Sequence, residues 1–210
     1  MTTALITHPA CLLHELPQGH PERPARLKYV LNALAGEPFD VLLRKEAPKA
    51  DEDALARVHS RDFIRDILDS IPESGFAQLD SDTIASPGTG EAILRAAGAL
   101  ILGVDMVMGG EAKNVFCAVR PPGHHAEPTK AMGFCLFNNI AIGALHARQH
   151  HRLGIVLDLR NAAETGREDL KQRGQHHGQD GEGDKHLDQG EPDRGAAPVR
   201  ASSRRARRHR

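Results

Sequence analysis

Residues 115–125 read VFCAVRPPGHH, an apolar segment followed at once by a stiff loop. The apolar and β-branched residues of VFCAV (115–119) predict a buried strand. Two prolines then restrict the backbone, and Gly123 allows either a close approach of another segment or a positive φ. The pattern therefore places His124 and His125 on a rigid loop at the end of a strand.

The sequence around VFCAV alternates between strand and helix signals. Further strands are predicted at ALITH (4–8), FDVLL (39–43) and LGIVLDL (153–159). Helices are predicted to begin at Pro24, Ser60, Thr89, and Asn138 or Asn139. Apolar strands separated by amphipathic helices indicate an α/β fold, a parallel sheet flanked by helices. Ligand sites in such sheets lie beyond the carboxyl ends of the strands, which is where RPPGHH follows VFCAV.

Composition argues against several classes of protein. The 210 residues suffice for one domain, and a net charge of −1 gives no global reason to expect nucleic acid or an anionic membrane as a partner. No apolar run approaches the roughly 20 residues that cross a bilayer, and the N-terminal segment is a poor signal peptide. Cys11, Cys117 and Cys135 form no CxxC pair, which favours reduced thiols and a cytoplasmic protein.

The composition changes at about residue 160. Residues 160–210 contain no aromatic residue, and their bulky aliphatic residues are Leu170, Leu187 and Val199. Such a segment cannot bury enough apolar surface to offset its conformational entropy. We therefore predict that residues 1–159 form the N-terminal half of an α/β domain. Residues 160–210 are predicted to be a low-complexity tail, disordered or derived from a shifted reading frame.

Four segments resemble the motifs of one enzyme family. FCAVRPPGHHAEPTKAMGFCLFNNIAIGA (116–144) resembles the signature of the zinc-dependent histone deacetylases, a family that includes acetylpolyamine amidohydrolases and acetoin-utilisation proteins. GHPERPARL (19–27), VHSRDFI (58–64) and LDSDTIASPGTGEA (79–92) are similar to its other motifs, in the same order. The resemblance covers roughly residues 4–157. It implies an arginase/deacetylase-like fold and the zinc-dependent hydrolysis of acetyl-lysine or of small acetylated amines.

The resemblance assigns proton transfer to the two histidines. His124 and His125 match the tandem histidines of the family, one of which orients and polarises the zinc-bound water. The other, usually the second, exchanges protons with the water and the leaving amine. Imidazole suits this task because it titrates close to neutral pH. A surface pair of histidines without a function is the alternative that the spacing leaves open.

The resemblance also implies substrate contacts. Gly133 and Phe134 match the pair that lines the narrow tunnel for the acyl-lysine chain, although a phenylalanine in the core would give the same sequence. Arg26 matches an arginine at the foot of the pocket, where acetate leaves. Asp82 matches an aspartate at the rim that holds the substrate backbone. An arginine on a helix surface and an aspartate capping a loop are the respective alternatives.

The sequence departs from the family pattern at the metal ligands. Family members have Asp-x-Asp-x-His-His-Gly after the strand that corresponds to LGIVLDL, whereas this chain reads LDLRNAAETG (157–166). Asp158 can occupy the first ligand position, but Arg160 stands in place of the histidine, and a guanidinium has no lone pair to donate. A later aspartate ligand and an oxyanion-stabilising tyrosine or histidine have no counterpart, and we interpret His176-His177-Gly178 as a coincidence.

Two hypotheses follow from this departure. The first is a truncated or frameshifted deacetylase that does not retain zinc and is inactive as written. The second is a non-catalytic pseudoenzyme that only binds a partner, with the arginine-rich residues 204–210 as the contact for an acidic partner. Because the net charge is near zero, we expect neither a membrane nor a specific nucleic acid as the partner.

Overall fold

The structure is a computed structural model, and it describes residues 2–151. The predictions for LGIVLDL, for Asp158 and for the tail from residue 160 lie outside the described residues. Within the described part of the chain, no helix is long and apolar enough to cross a membrane.

Five strands and five α-helices make up this region. The strands are β1 Thr3–Thr7, β2 Leu43–Glu46, β3 Ala77–Asp80, β4 Thr83–Ala85 and β5 Asn114–Cys117. The α-helices are α1 Pro24–Ala33, α2 Glu52–Leu55, α3 Arg61–Asp69, α4 Thr89–Met108 and α5 Asn139–His150. Short 3₁₀ helices lie at Pro9–Leu12 and Glu37–Phe39.

A three-stranded parallel sheet lies at the centre, with the order β2-β1-β5. In its register, Ala4 of β1 pairs with Leu43 of β2 and with Val115 of β5. Strands β3 and β4 form a separate antiparallel hairpin. Because β1 and β5 are parallel, the loops after them leave the same edge of the sheet, and RPPGHH is one of these loops.

Alternate residues of β1 face two different helical layers. Ala4 and Ile6 pack in an apolar cluster with Ala99 and Met106 of α4. Leu5 packs on the opposite face with Leu27 of α1. Helices therefore cover both faces of the sheet, and the predicted fold class is confirmed.

The four predicted helix starts are confirmed, and two of them have a capping side chain. The hydroxyl of Ser60 accepts a hydrogen bond from the backbone N–H of Phe63 at 3.2 Å, at the start of α3. The side chain of Asn138 accepts from the N–H of Ala141 at 3.0 Å, at the start of α5. Each side chain satisfies an N–H group that the first helical turn leaves without a partner.

Two strand predictions need correction. FDVLL was the wrong segment, because Phe39 ends a 3₁₀ helix, Val41 is 83% exposed, and the strand begins only at Leu43. In the described part of the chain β2 has β1 as its one neighbouring strand, and such an edge strand need not be apolar. The position of β2 in the sequence is therefore set by pairing with β1 rather than by apolar content. VFCAV does contribute the parallel strand β5, which ends at Cys117, but it is buried only in part, since Ala118 is 3% exposed and Phe116 is 49% exposed.

Candidate functional site

A cleft of about 730 Å³ opens beside the loop that follows β5. Its walls come from α1, from the turn between β3 and β4, and from the segment that joins β5 to α5. All six described residues singled out from the sequence line this one cleft: Arg26, Asp82, His124, His125, Gly133 and Phe134. Residues that are far apart in sequence therefore meet where the parallel sheet predicts a ligand site.

The two histidines project from a loop whose backbone is buried beneath them. Their side chains are exposed, with ring centroids 4.2 Å apart. A Cβ atom on Gly123 would lie 2.5 Å from the backbone nitrogen of Asn139 and 2.6 Å from the carbonyl oxygen of Phe137. Glycine is therefore required here for close approach rather than for a positive φ. The contact positions the histidine loop against the start of α5.

His59 connects this loop to the second motif. It is 2% exposed, and its Nε2 accepts the backbone N–H of Asn138 at 2.9 Å. The ring proton therefore lies on Nδ1, which donates to the carbonyl oxygen of Pro128 at 3.2 Å. Burial lowers the pKa of His59, which keeps the ring neutral and both bonds in place. The side chain of Asn138 also donates to the carbonyl oxygen of Ala126 at 2.9 Å.

A buried ion pair connects the first motif to the same loop. Arg120 donates from Nε and Nη2 to the two carboxylate oxygens of Glu22 at 2.6 and 2.7 Å. The two residues are 4% and 2% exposed. Arg120 also donates to the carbonyl oxygens of Cys11 at 2.9 Å and His14 at 3.0 Å. Such paired, fully bonded charges fix the relative position of the segments that carry them.

The adjacent His14 is held neutral. Burial, followed by the charge of Arg120, lowers the pKa of His14 to about 3. Its Nδ1 lies 2.8 Å from the hydroxyl oxygen of Thr89, the first residue of α4. The sequence analysis did not single out Arg120, Glu22, His14 or His59. Arg120, Glu22 and His59 lie inside the motif segments, whereas His14 lies outside them, and the burial of all four could not be read from the sequence.

Gly133 and Phe134 form the centre of a tight turn. Their φ angles are 61° and 67°, and Met132 and Cys135 exchange backbone hydrogen bonds of 3.0 Å on either side. Two central residues with positive φ define a type I′ turn. Phe134 is not a glycine, so this conformation costs on the order of 1–2 kcal/mol.

Side chains from the β3–β4 hairpin hold that turn. The carboxylate oxygen Oδ1 of Asp82 accepts the N–H of Gly133 at 3.0 Å, and the hydroxyl oxygen of Thr83 accepts the N–H of Phe134 at 3.1 Å. Oδ1 of Asp82 also accepts from the hydroxyl of Thr83 at 2.9 Å. Asp82 thus has a structural contact in addition to the substrate contact predicted for it.

The turn forms one wall of the cleft. The half-buried ring of Phe134 makes an edge contact with His20, with centroids 5.0 Å apart. A Cβ atom on Gly133 would lie 2.7 Å from both Cβ and Cγ of His125. Glycine is therefore required at position 133 both by its φ angle and by the proximity of His125.

Arg26 lies where two cavities meet. It lines the cleft, and it also lines a second cavity of about 310 Å³ beside β5, which shares Pro122 with the first. The buried Glu22–Arg120 pair lines the second cavity as well. This position agrees with a residue at the foot of a pocket, although its predicted role in acetate release remains a prediction.

Comparison with known proteins identifies the family. Residues 20–159 match the family model described as the histone deacetylase domain. The chain belongs to the histone deacetylase family. It is 34% identical over 145 residues to a probable deacetylase of Archaeoglobus fulgidus, covering 68% of this chain and 40% of that protein. It is 37% identical over 168 residues to human polyamine deacetylase HDAC10, covering 75% of this chain and 25% of that protein.

A solved structure supports the same conclusion. The crystal structure of the HDA15 HD domain matches with a TM-score of 0.68 and 34% identity, over 71% of this chain and 43% of that chain. This member of the histone deacetylase family thus spans less than half the length of the relatives described here. The family-model match at residues 20–159 covers the motif segments apart from Gly19, and it confirms the family resemblance drawn from them.

The described residues do not provide a zinc site in the cleft of this deacetylase homologue. Within residues 2–151, the three metal-binding side chains that lie close together are Asp105, His146 and His151. None of the three lines the cleft. The ligand position predicted at Asp158 lies outside the described residues. Within residues 2–151, the group of side chains that could share a metal ion therefore lies outside the cleft, where the family's zinc would be expected.

Proposed function

We propose that the cleft binds an acetylated amine, either the acetyl-lysine side chain of a protein or a small acetylated amine. The observation that carries this proposal is the convergence of Arg26, Asp82, the two histidines and the Gly133–Phe134 turn on one cleft. The names of the relatives, a probable deacetylase and a polyamine deacetylase, support the same substrate class. The reaction class is the hydrolysis of an acetyl amide.

The cleft residues suit the two ends of such a substrate. The ring of Phe134 offers an apolar face to an aliphatic stem, and the tight turn fixes its orientation. Amide hydrolysis needs a base that accepts a proton from water and an acid that protonates the leaving amine. His124 and His125 are the adjacent groups that can exchange those protons, because both rings line the cleft. Asp82 keeps the turn in place through the N–H of Gly133.

We infer further that catalysis is impaired in this chain. The sequence has Arg160 two residues after Asp158, where the family has a histidine ligand. A guanidinium cannot coordinate zinc, and its charge repels a cation. A catalytic zinc site normally needs three protein ligands and an open position. A non-catalytic protein that keeps the acyl-amine cleft and binds a partner through it is the second candidate, favoured by the retained cleft.

The experiment combines binding and turnover on the purified chain. We expect an acetyl-lysine peptide to bind more tightly than its unacetylated form, and Phe134→Ala to weaken that binding about 10-fold through the loss of the aromatic wall. We expect no chelator-sensitive hydrolysis of a fluorogenic acetyl-lysine substrate. Phe39→Ala, which removes an exposed phenylalanine outside the four motif segments and outside the cleft lining, is the control.

Two results would contradict the proposal. Equal binding of acetylated and unacetylated peptides would exclude acetylated amines as the substrate class. Chelator-sensitive turnover that His125→Ala lowers by the 10²–10⁴-fold expected of a general acid–base group would show that an intact catalytic site exists. Introducing the family's Asp-x-His pair through Arg160→His within a full-length reading frame is expected to restore both metal and turnover.

The proposed cytoplasmic location is supported by the cysteines. Cys11, Cys117 and Cys135 are unpaired in the described structure. Burial raises the pKa of all three thiols, that of Cys117 to about 11. Protonated thiols that are buried or half-buried react slowly, as expected of structural residues in a reducing compartment.

A further inference from the structure

Three metal-binding side chains meet between the two longest helices, away from the cleft. Asp105 projects from α4, His146 from α5, and His151 follows α5 directly. The carboxylate oxygen Oδ1 of Asp105 lies 2.6 Å from Nε2 of His146 and 2.7 Å from Nε2 of His151. One carboxylate oxygen thus faces two imidazole nitrogens.

We propose that Asp105, His146 and His151 form a binding site for a divalent transition-metal ion of the Zn²⁺ type. Two imidazole nitrogens and one carboxylate oxygen are the donors that such ions prefer, and three protein ligands leave a fourth position for water. The three ligand atoms all lie within 4.8 Å of one another. This inference does not depend on the proposed function, because none of the three residues lines the cleft.

The two contacts of Asp105 need only a small adjustment to admit the ion. Bond lengths of about 2.0–2.1 Å in a tetrahedral site separate neighbouring ligand atoms by roughly 3.3 Å. The two short contacts of Asp105 must therefore open by about 0.6–0.7 Å. The side chain of Asp105 is 45% exposed and that of His151 is 25% exposed, so both can withdraw, whereas His146 is 9% exposed and held by packing.

Arg57 opposes metal binding in the structure as it stands. Its Nη1 donates to Nδ1 of His146 at 3.1 Å, and its Nη2 lies 3.1 Å from Nε2 of His150. A histidine that binds a metal through Nε2 carries its proton on Nδ1, which would then face the N–H of Arg57. The arginine must move away, and its positive charge also disfavours a nearby cation.

Because Arg57 opposes metal binding, replacing it should raise the affinity of the site for the metal ion. In Arg57→Gln the positive charge is lost, and the amide oxygen of glutamine can accept the proton on Nδ1 of His146. A gain in affinity cannot result from misfolding. His150 stacks on His146 with ring centroids 4.5 Å apart but is outside the group of three, so His150→Gln serves as the matched control on the same helix.

The test is a titration of the full chain with Zn²⁺ alone. A separate titration with Co²⁺ alone is monitored by visible absorption. We expect one equivalent to bind, Asp105→Asn and His146→Gln each to lose at least 20-fold in affinity, and Arg57→Gln to gain at least 3-fold. His150→Gln and the tail variant His176→Gln/His177→Gln should stay within 2-fold of the unaltered chain. Far-UV circular dichroism verifies that Asp105→Asn, a change at a half-exposed side chain, leaves the fold intact.

Two outcomes would overturn the assignment. Unchanged affinity in Asp105→Asn and His146→Gln would exclude the site, and so would a loss that follows the tail histidines instead. Failure of this proposal and failure of the proposed function are distinguishable. Metal binding that is lost in Asp105→Asn while binding of the acetyl-lysine peptide is unaffected belongs to this site, whereas peptide binding lost in Phe134→Ala with metal binding unaffected concerns the cleft.

Discussion

The turn that carries Phe134 allows a quantitative test of how the cleft is built. In Gly133→Ala the added Cβ faces two penalties: a φ of 61°, and a distance of 2.7 Å to Cβ and Cγ of His125. Because Cβ of His125 is bonded directly to the backbone, rotation of the ring cannot relieve the contact. The loop must shift by about 0.7 Å to restore ordinary van der Waals separation, and such overpacking costs about 1–3 kcal/mol.

Gly110 separates these two penalties. It has a φ of 77° after the end of α4, and a Cβ there would have no heavy atom within 4 Å. Gly110→Ala should therefore cost only the strain of the left-handed conformation, roughly 1–2 kcal/mol. Gly133→Ala should cost about 2–5 kcal/mol, the sum of strain and overpacking. At about 2–4 °C per kcal/mol for a chain of this size, the two variants should differ clearly in Tm.

The assay is urea unfolding of both single variants, together with a double-mutant cycle. His125→Gly removes the atoms that the new Cβ would meet, so the double variant Gly133→Ala/His125→Gly should recover about 1–3 kcal/mol relative to the sum of the single changes. Peptide binding should fall in Gly133→Ala and stay unchanged in Gly110→Ala. Equal destabilisation by the two alanine variants, with no coupling in the cycle, would refute the argument that His125 and Gly133 are packed against each other.

Two further predictions concern buried ionisable side chains near the cleft. Arg120→Ala leaves the carboxylate of Glu22 buried without its partner, so it should lower the free energy of unfolding by about 3–5 kcal/mol in urea titrations, whereas Arg23→Ala, at an exposed neighbour, should change it little. The second concerns pH: because the pKa of His14 is about 3 in the folded chain and near 6.5 when unfolded, the unfolded state binds more protons between these values. Stability should therefore fall as pH drops from about 6.5 towards 3, by up to about 1.4 kcal/mol per pH unit from this residue, and its contribution should remain flat above 6.5. His14→Gln should reduce that slope, and an unchanged slope would assign the acid sensitivity to other groups.

Local patterns in the sequence determined much of the fold. Ser60 and Asn138 begin helices because a side-chain oxygen satisfies an N–H within three residues, an interaction that needs no distant partner. Helix α4 begins at Thr89 without a side-chain cap, and it ends at the glycine pair 109–110, where the N–H of Gly109 donates to the carbonyl oxygen of Asp105 within the last turn. The parallel sheet was predictable because apolar strands alternate with amphipathic helices. The motif segments identified the family for the same reason, since each is contiguous in sequence.

The strand predictions that needed correction depend on pairing between segments that are distant in sequence. FDVLL is more apolar than LRKE (43–46), yet LRKE is the strand because its backbone pairs in register with β1. Apolar content could not predict this, because a strand with one neighbour in the described sheet accepts charged residues. The exposed face of Phe116 likewise depends on which segments lie beside β5, a property of the sheet rather than of VFCAV.

The candidate site shows the same division. The sequence by itself determined which residues to examine, since His124, His125, Gly133 and Phe134 lie within one short segment. Only the tertiary structure placed Arg26 and Asp82 beside them, and only it showed that Glu22 and Arg120 form a buried pair 98 residues apart in sequence. The physical reason is that capping and turn formation act within a few residues. Burial, ion pairing and the grouping of Asp105 with two histidines require segments that meet only when the chain is folded.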